Sequence, residues 1–156
     1  MVCLGASHFG GIGRSHFVPK CQFIDQVFYL NALNSHYVVE AARMFREAGV
    51  QDYCFQQDGA SAHTANAVQI ACAALFPSFI ARKDWPSTSP DLNVLDYFIW
   101  GYVQKKVNEM KPETLLDLQL AIEQCVGNVP LGLVQKAIDG FYNRCKLCVD
   151  QEGRTF

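Results

Sequence analysis

The hydrophobic residues of this chain occur in short runs typical of strands and at the three- to four-residue spacing typical of helices. Together these patterns predict alternating strands and helices. An apolar run over residues 1–6, turn residues at Phe9–Gly13 and a second run over residues 14–18 predict a β-hairpin. Two further segments, Tyr53–Gln57 and Phe79–Arg82, are predicted to be short strands.

Helical spacing begins at Asp25, where the apolar residues start to recur every three or four positions. Asn34-Ser35 is expected to divide this region into two helices, and Gly49 is a natural helix end. Another helix is predicted from Thr64 to the residue before Pro77. Because helices and strands alternate without an internal repeat, the predicted fold class is α/β.

The last third of the chain has helical periodicity throughout. It follows Trp85–Asn93, a segment with two prolines that predicts a loop. Thr114–Asp117 has the pattern of a capping box at the start of one helix. The apolar faces expected on the three helices are Leu95, Phe98, Ile99, Tyr102 and Val103; Leu115, Leu118, Ile122 and Cys125; and Leu131, Val134, Ile138, Phe141 and Cys145.

Composition narrows the class of protein. A chain of 156 residues with 50% hydrophobic residues suits a single domain, here residues 1–156. Seven irregularly spaced cysteines favour reduced thiols in an intracellular protein over a disulfide framework. The net charge of −2 argues against a free-standing DNA-binding module. The longest uncharged stretch, residues 59–81, contains too many polar residues to span a membrane, so no membrane partner is expected.

Two carboxylates stand out by their position in the pattern. Asp58 closes a predicted strand, and Asp96 opens a predicted helix directly after the proline-rich loop. Such positions commonly carry functional groups in α/β folds, and a carboxylate pair suits Mg²⁺. An aspartate at a helix start is also an ordinary N-cap, so the pattern alone leaves both interpretations open.

Two segments enclose these aspartates. They are Phe55-Gln-Gln-Asp-Gly-Ala-Ser-Ala-His-Thr64 and Trp85–Gly101, the latter with a Ser-Pro-Asp-Leu run. They resemble the second and third catalytic motifs of mariner-type transposases of the DDE/DDD superfamily. Met1–Ser7 and His16–Lys20 resemble the hairpin that precedes those motifs, and Arg144-Cys-Lys-Leu-Cys148 with Gly153 resembles the end of the domain. The resemblance therefore covers nearly the whole chain.

The resemblance implies a ribonuclease H-like fold, with a mixed sheet flanked by helices. It implies that Asp58 and Asp96 are catalytic residues that bind Mg²⁺ or Mn²⁺ for DNA cleavage and strand transfer. The implied partner is DNA, namely transposon ends, and the implied location is the nucleus. It also allows a homodimer, and it implies no small-molecule substrate.

Part of the family pattern is absent from this sequence. The family uses three acids, and its first catalytic Asp lies on a strand upstream of the hairpin with which this chain begins. None of the acids before Asp58 is in that position, and the family's helix-turn-helix DNA-binding region is also missing. The chain is therefore expected to be a truncated catalytic domain without its first strand. We expect weak metal binding, no strand transfer by the chain alone and marginal stability.

Two other functional classes stay open at this stage. One is a non-catalytic module with the same fold that binds nucleic acid or protein. The other is a small α/β protein unrelated to transposases, in which Asp58 and Asp96 are helix caps. Convergence of the two carboxylates on a shared cation would distinguish the transposase interpretation from the last one.

Several smaller features have both an ordinary and a functional interpretation. Cys145 and Cys148 form a CxxC that could be a zinc half-site or two plain thiols, and Gly10–Ser15 is a glycine-rich turn without the features of a P-loop. His63 could steady Asp58 or cap the next helix. Asp91 is expected to be a turn residue.

The basic and indole side chains near the third motif are also ambiguous. Arg82-Lys83 and Lys105-Lys106 could contact DNA phosphates, although solvated surface charge is the commoner role. Trp85 and Trp100 flank Asp96 in the sequence and are expected to pack in the core.

Overall fold

The computed structural model of the protein describes residues 1–86 and 88–152. Its strands are two residues long, and most of the regular structure is helical. The strands are β1 (Val2–Cys3), β2 (Ala6–Ser7), β3 (Gly11–Ile12), β4 (His16–Phe17), β5 (Cys54–Phe55) and β6 (Ser78–Phe79). The helices are α1 (Gln26–Ala32), α2 (Val38–Glu47), α3 (Ser61–Thr64), α4 (Asn66–Leu75), α5 (Trp100–Met110), α6 (Leu115–Gly127), α7 (Leu131–Asp139) and α8 (Phe141–Asp150).

The chain divides into two compact units. The first unit consists of Met1 with His16–Ser89, and the second consists of Val2–Ser15 with the chain from Pro90 onward. Each has its own hydrophobic core. The expectation of one domain over residues 1–156 stays a prediction.

The first unit contains one pair of parallel strands, β5 and β6, among the residues described. Cys54 pairs with Ser78 and Phe55 with Phe79, and α4 lies between β5 and β6 in the chain. Parallel neighbours need such a crossover, and a helix is its usual form. The stacked rings of Phe55 and Phe76, with centroids 4.0 Å apart, join this pair to the core. Leu33, Val68 and Cys72 are fully buried there.

The predicted division into two separate helices at Asn34-Ser35 is wrong, because the chain stays helical through these residues. Leu33–Tyr37 is a π-helical segment that joins α1 to α2 without an interruption. The side chains of Asn34 and Ser35 donate to the carbonyls of Leu30 and Asn31, each at 2.7 Å. Such bonds to the preceding turn bend a helix without ending it.

A hairpin forms in the second unit, but its second strand, β3, lies inside the segment Phe9–Gly13 that was predicted to be the turn. β2 and β3 are antiparallel, with Ala6 opposite Ile12 and Ser7 opposite Gly11. The Ser7 hydroxyl accepts a hydrogen bond from the amide of Gly10 at 2.8 Å, which tightens the turn. Helix α7 packs on this hairpin.

The core of the second unit is mainly helical. Ile99 and Val134 are fully buried in it, and α5 packs against α6. The last predicted helix is two helices, α7 and α8, which meet at Gly140. The apolar face predicted for α6 is partly wrong, since Leu115 and Leu118 are exposed while Ala121 and Val126 are buried.

None of the helices in residues 1–86 and 88–152 is both long and apolar enough to cross a bilayer.

Candidate functional site

Asp58 lies just beyond the end of strand β5, in the turn that leads into α3. Its Oδ1 accepts a hydrogen bond from the backbone amide of Ala60 at 3.0 Å. This is the Asx turn that aspartate forms with the amide two residues later. The turn holds the carboxylate at the carboxyl end of a parallel strand, where α/β folds usually bind ligands.

His63 is the nearest titratable partner of Asp58. Its Nδ1 lies 2.6 Å from Asp58 Oδ1, and its ring packs on that of Tyr29 with the centroids 4.1 Å apart. The hydrogen bond from His63 lowers the pKa of Asp58; partial burial opposes this shift, and the bond from Ala60 adds to it. Asp58 is therefore a carboxylate at neutral pH.

The backbone of His63 is fixed by two glutamine side chains. The Nε2 atoms of Gln57 and Gln69 donate to the His63 carbonyl at 2.9 and 3.0 Å. Gln57 in turn accepts a hydrogen bond from the Tyr29 hydroxyl at 2.9 Å. These bonds restrict the imidazole and, through it, the carboxylate of Asp58.

Arg82 contacts the residues that follow Asp58 in the chain. Its backbone amide donates to Gln69 Oε1 at 2.8 Å, and its Nη1 donates to the carbonyl of Thr64 at 2.9 Å. The cation is thereby placed on a small cleft of about 80 Å³ that includes Asp58. The cleft is lined by Gln57, Asp58, Gly59, Thr64, Gln69, Ile80, Arg82 and Trp85.

The two tryptophans have different surroundings. Trp85 lines the cleft beside Asp58, so the expectation that it packs in the core is wrong. Trp100 is partly buried against the core of the second unit, as predicted. An indole at the edge of a cleft offers a flat apolar surface with one hydrogen-bond donor.

The geometry of Asp58 suits a carboxylate ligand for a hard cation. Oδ1 carries both hydrogen bonds, and no residue in the part of the chain that the structure describes donates to Oδ2. The side chain is 47% exposed, so a cation can reach Oδ2 from solvent. Carboxylate oxygen is the ligand type that Mg²⁺ and Mn²⁺ prefer.

Asp96 lies in the second unit, near the start of the π-helical segment Leu95–Ile99 that leads into α5. Its Oδ2 accepts a hydrogen bond from the buried side-chain amide of Asn93 at 2.8 Å, and Asn93 Oδ1 accepts from the amide of Leu95 at 3.2 Å. Asp96 is the second residue of this segment and not its N-cap, so the capping interpretation of Asp96 is wrong. The carboxylate of Asp96 is exposed to solvent.

Neither a zinc site nor a three-acid metal site occurs in the parts of the chain described. Within residues 1–86 and 88–152, no group of three or more His, Cys, Asp or Glu side chains could hold a metal ion. Cys145 and Cys148 are partly buried free thiols on α8. The assignment of Asp58 and Asp96 as metal ligands stays a prediction.

Sequence reasoning missed the glutamines around His63 and the role of Arg144. Gln57 and Gln69 carry no pattern that distinguishes them from other polar residues. In the sequence, Arg144 stands out only as part of a terminal motif. In the structure it is buried and donates to the carbonyl of Asp91 at 2.8 Å. Asp91 was expected to form a turn through its side chain, whereas its contact with Arg144 uses the backbone carbonyl.

Comparison with known proteins points to one group of enzymes, although no family model matches the chain. The chain is 26% identical over 106 residues to the Tc1 transposase of Caenorhabditis elegans, covering 65% of this chain and 36% of that protein. It is 24% identical over 108 residues to the Tcb1 transposase of Caenorhabditis briggsae, covering 66% of this chain and 36% of that protein. The aligned part thus spans about a third of the length of these curated relatives.

Solved structures match almost the full length of the chain. The catalytic domain of the Mos1 mariner transposase superposes with a TM-score of 0.81 at 17% identity, over 99% of this chain and 74% of that one. A Mos1 paired-end complex with the left transposon end gives 0.82 at 17% identity, over 99% and 44%. The Mos1 catalytic domain and raltegravir with Mg gives 0.78 at 19% identity, over 99% and 76%. The predicted ribonuclease H-like fold is confirmed.

Proposed function

We propose, from the premise that this chain is homologous to the Tc1 and mariner transposases, that it carries part of a metal-dependent centre for DNA cleavage and strand transfer. Asp58 and Asp96 are its acidic ligands, for Mg²⁺ or Mn²⁺. The observation that carries the proposal is the fixed carboxylate of Asp58, whose Oδ1 is held by His63 and Ala60 while Oδ2 accepts no bond from residues 1–86 or 88–152.

The chain's own groups each have a role in this proposal. His63 and the Ala60 amide hold Asp58 in one orientation, and Gln57 and Gln69 hold His63. Arg82 and Trp85 line the same cleft and would meet the phosphate and the base of a bound strand. When bound, the cation supplies activation of the attacking oxygen and neutralisation of phosphate charge.

DNA is the proposed partner, and transposon ends are the proposed substrate. Support comes from the Mos1 structures that match this fold, one of which contains the left transposon end. The proposed location is the nucleus, where such DNA lies, and assembly as a homodimer is part of the same proposal. The role of Asp96 rests on its place in the third motif.

The chain alone is proposed to be inactive. Two carboxylates are fewer than the three acids of the family pattern, and a smaller set of ligands binds Mg²⁺ more weakly and positions it less accurately. Misplacement matters because small errors in the position of reacting groups cause large losses of rate.

A Mn²⁺ titration followed by electron paramagnetic resonance tests the metal ligands. We expect Asp58→Asn and Asp96→Asn each to weaken binding about tenfold or more, because each removes a charged ligand. Asp84→Asn and Asp150→Asn are matched controls on exposed carboxylates of the first and second units, and they should leave binding unchanged. Equal effects in all four variants would overturn the assignment.

Incubation of the purified chain with a 5′-labelled DNA duplex and a supercoiled plasmid tests the activity. We expect no nicking and no strand transfer with either Mg²⁺ or Mn²⁺. Metal-dependent cleavage that Asp58→Asn abolishes would refute the inactive assignment while supporting the ligands. Binding of the duplex with the same affinity in Asp58→Asn and without metal would favour a non-catalytic binding module.

A further inference from the structure

The second unit contains a buried arginine. Arg144, on helix α8, is only 5% exposed. No carboxylate within residues 1–86 and 88–152 pairs with it. Burial without a counter-ion lowers the pKa of Arg144, and such burial is unfavourable unless other contacts compensate.

The compensating contacts come from two carbonyls and one aromatic ring. Nε of Arg144 donates to the Asp91 carbonyl at 2.8 Å, and Nη1 donates to the Ala137 carbonyl at 2.7 Å. The guanidinium carbon lies 4.2 Å from the centroid of the Tyr97 ring. The planar guanidinium is suited to both kinds of contact at once, which an ammonium group is not.

Asp91 and Tyr97 lie on either side of Asp96 in the chain. Between them, the buried Asn93 donates to Asp96 Oδ2 at 2.8 Å, and the Asn93 carbonyl accepts from the Tyr97 amide at 2.8 Å. One guanidinium therefore contacts both ends of the segment that carries the carboxylate.

We infer that Arg144 is a positioning residue for Asp96, acting from α8 through the Asp91 carbonyl and the Tyr97 ring. Without it, the segment from residue 91 to residue 97 would lose its attachment to α8, and the direction of the Asp96 carboxylate would no longer be set. The positioning of Asp96 by Arg144 rests on the contacts described above. Only its effect on metal binding rests on the proposed function.

Gly140 is part of the same arrangement. A Cβ added at this position would lie 2.9 Å from Nη1 of Arg144. The guanidinium is buried and bonded to Ala137, so it cannot move aside without giving up contacts. Any side chain at position 140 should therefore displace Arg144 while leaving its charge in place.

Hydrogen exchange of the full chain tests the inference without any metal. We expect Arg144→Met to accelerate exchange of the Tyr97 amide at least tenfold relative to the amides of α6, because the attachment of residues 91–97 is lost. Gly140→Ala should also accelerate exchange of the Tyr97 amide, although this variant retains the arginine. Lys146→Met, which removes an exposed cation from the same helix, is the matched control and should leave Tyr97 unchanged.

Two results would overturn the inference. One is an unchanged exchange rate of the Tyr97 amide in both Gly140→Ala and Arg144→Met. The other is an equal acceleration at Tyr97 and throughout α6, since that is the behaviour of a general packing residue. If Arg144→Met does not fold, Gly140→Ala alone decides the outcome.

Mn²⁺ binding connects the inference to Asp96. We expect Arg144→Met to weaken binding about tenfold in the natural sequence and not at all in the Asp96→Asn background. Equal weakening in both backgrounds would contradict action through Asp96. If the natural chain binds no Mn²⁺, the proposed function fails, and the exchange of Tyr97 still decides the role of Arg144.

Discussion

The Nδ1 atom of His63 lies 2.6 Å from Oδ1 of Asp58, which ties the first turn of α3 to the end of strand β5. The imidazole cannot swing away easily, because Tyr29 packs on one of its faces and two glutamines hold its backbone carbonyl. The orientation of the carboxylate thus depends on residues that do not bind the cation themselves. Such supporting residues commonly tune metal affinity.

Replacing His63 should weaken metal binding through Asp58. We expect His63→Ala to lower the Mn²⁺ affinity about tenfold, because the carboxylate would lose the partner that orients it. His8→Ala is the matched control, since His8 forms a similar pair with Asp139 at 3.1 Å in the second unit. An isothermal titration that shows equal affinities for the two variants would contradict the orienting role.

Leu33, in the π-helical segment, is a core position of the first unit at which truncation should lower stability. Leu33 is fully buried, so Leu33→Ala should lower the free energy of unfolding by about 2–5 kcal/mol. Val39→Ala, at a position that is 57% exposed, should change it by less than about 0.5 kcal/mol. Urea denaturation followed by circular dichroism measures both, and similar midpoints would show that the core is packed differently.

Two exposed glycines should respond with opposite signs to the same substitution. Gly49 ends α2 with a φ of +69°, so Gly49→Ala should destabilise the protein by about 1 kcal/mol. Gly101 lies in α5 with open space around it, so Gly101→Ala should stabilise by about 0.5–1 kcal/mol. Melting temperatures that shift in the same direction would refute this account of the two helices.

Cysteine reactivity should follow burial. Desolvation raises the pKa of the buried Cys72 thiol to about 11, so roughly one thiol in a thousand is ionised at pH 8. Cys21 and Cys54 are exposed. Under native conditions, iodoacetamide should label these two before Cys72, which should react fully only in denaturant. Peptide mass spectrometry measures the order, and early labelling of Cys72 would show that its core opens readily.

Short-range signals predicted the ends of several elements correctly. Asp25 caps α1 by accepting from the amide of Phe28 at 2.8 Å, and Thr114 with Asp117 forms the expected capping box at α6. Both features involve residues three apart, so the local chain contains all the partners. The predicted apolar face of α6 is partly wrong, as the exposed Leu115 shows, because the buried face of this helix depends on how it packs against α5.

The sequence by itself determined the fold class, the motifs that contain Asp58 and Asp96 and the approximate position of most elements, because these depend on local periodicity and on residue types at short spacing. Only the tertiary structure decided which side chains surround each carboxylate. Tyr29 reaches Gln57 across 28 positions, and Arg144 reaches Asp91 across 53. Contacts of that range arise from the packing of whole elements, and no local pattern of hydrophobic and polar residues specifies them.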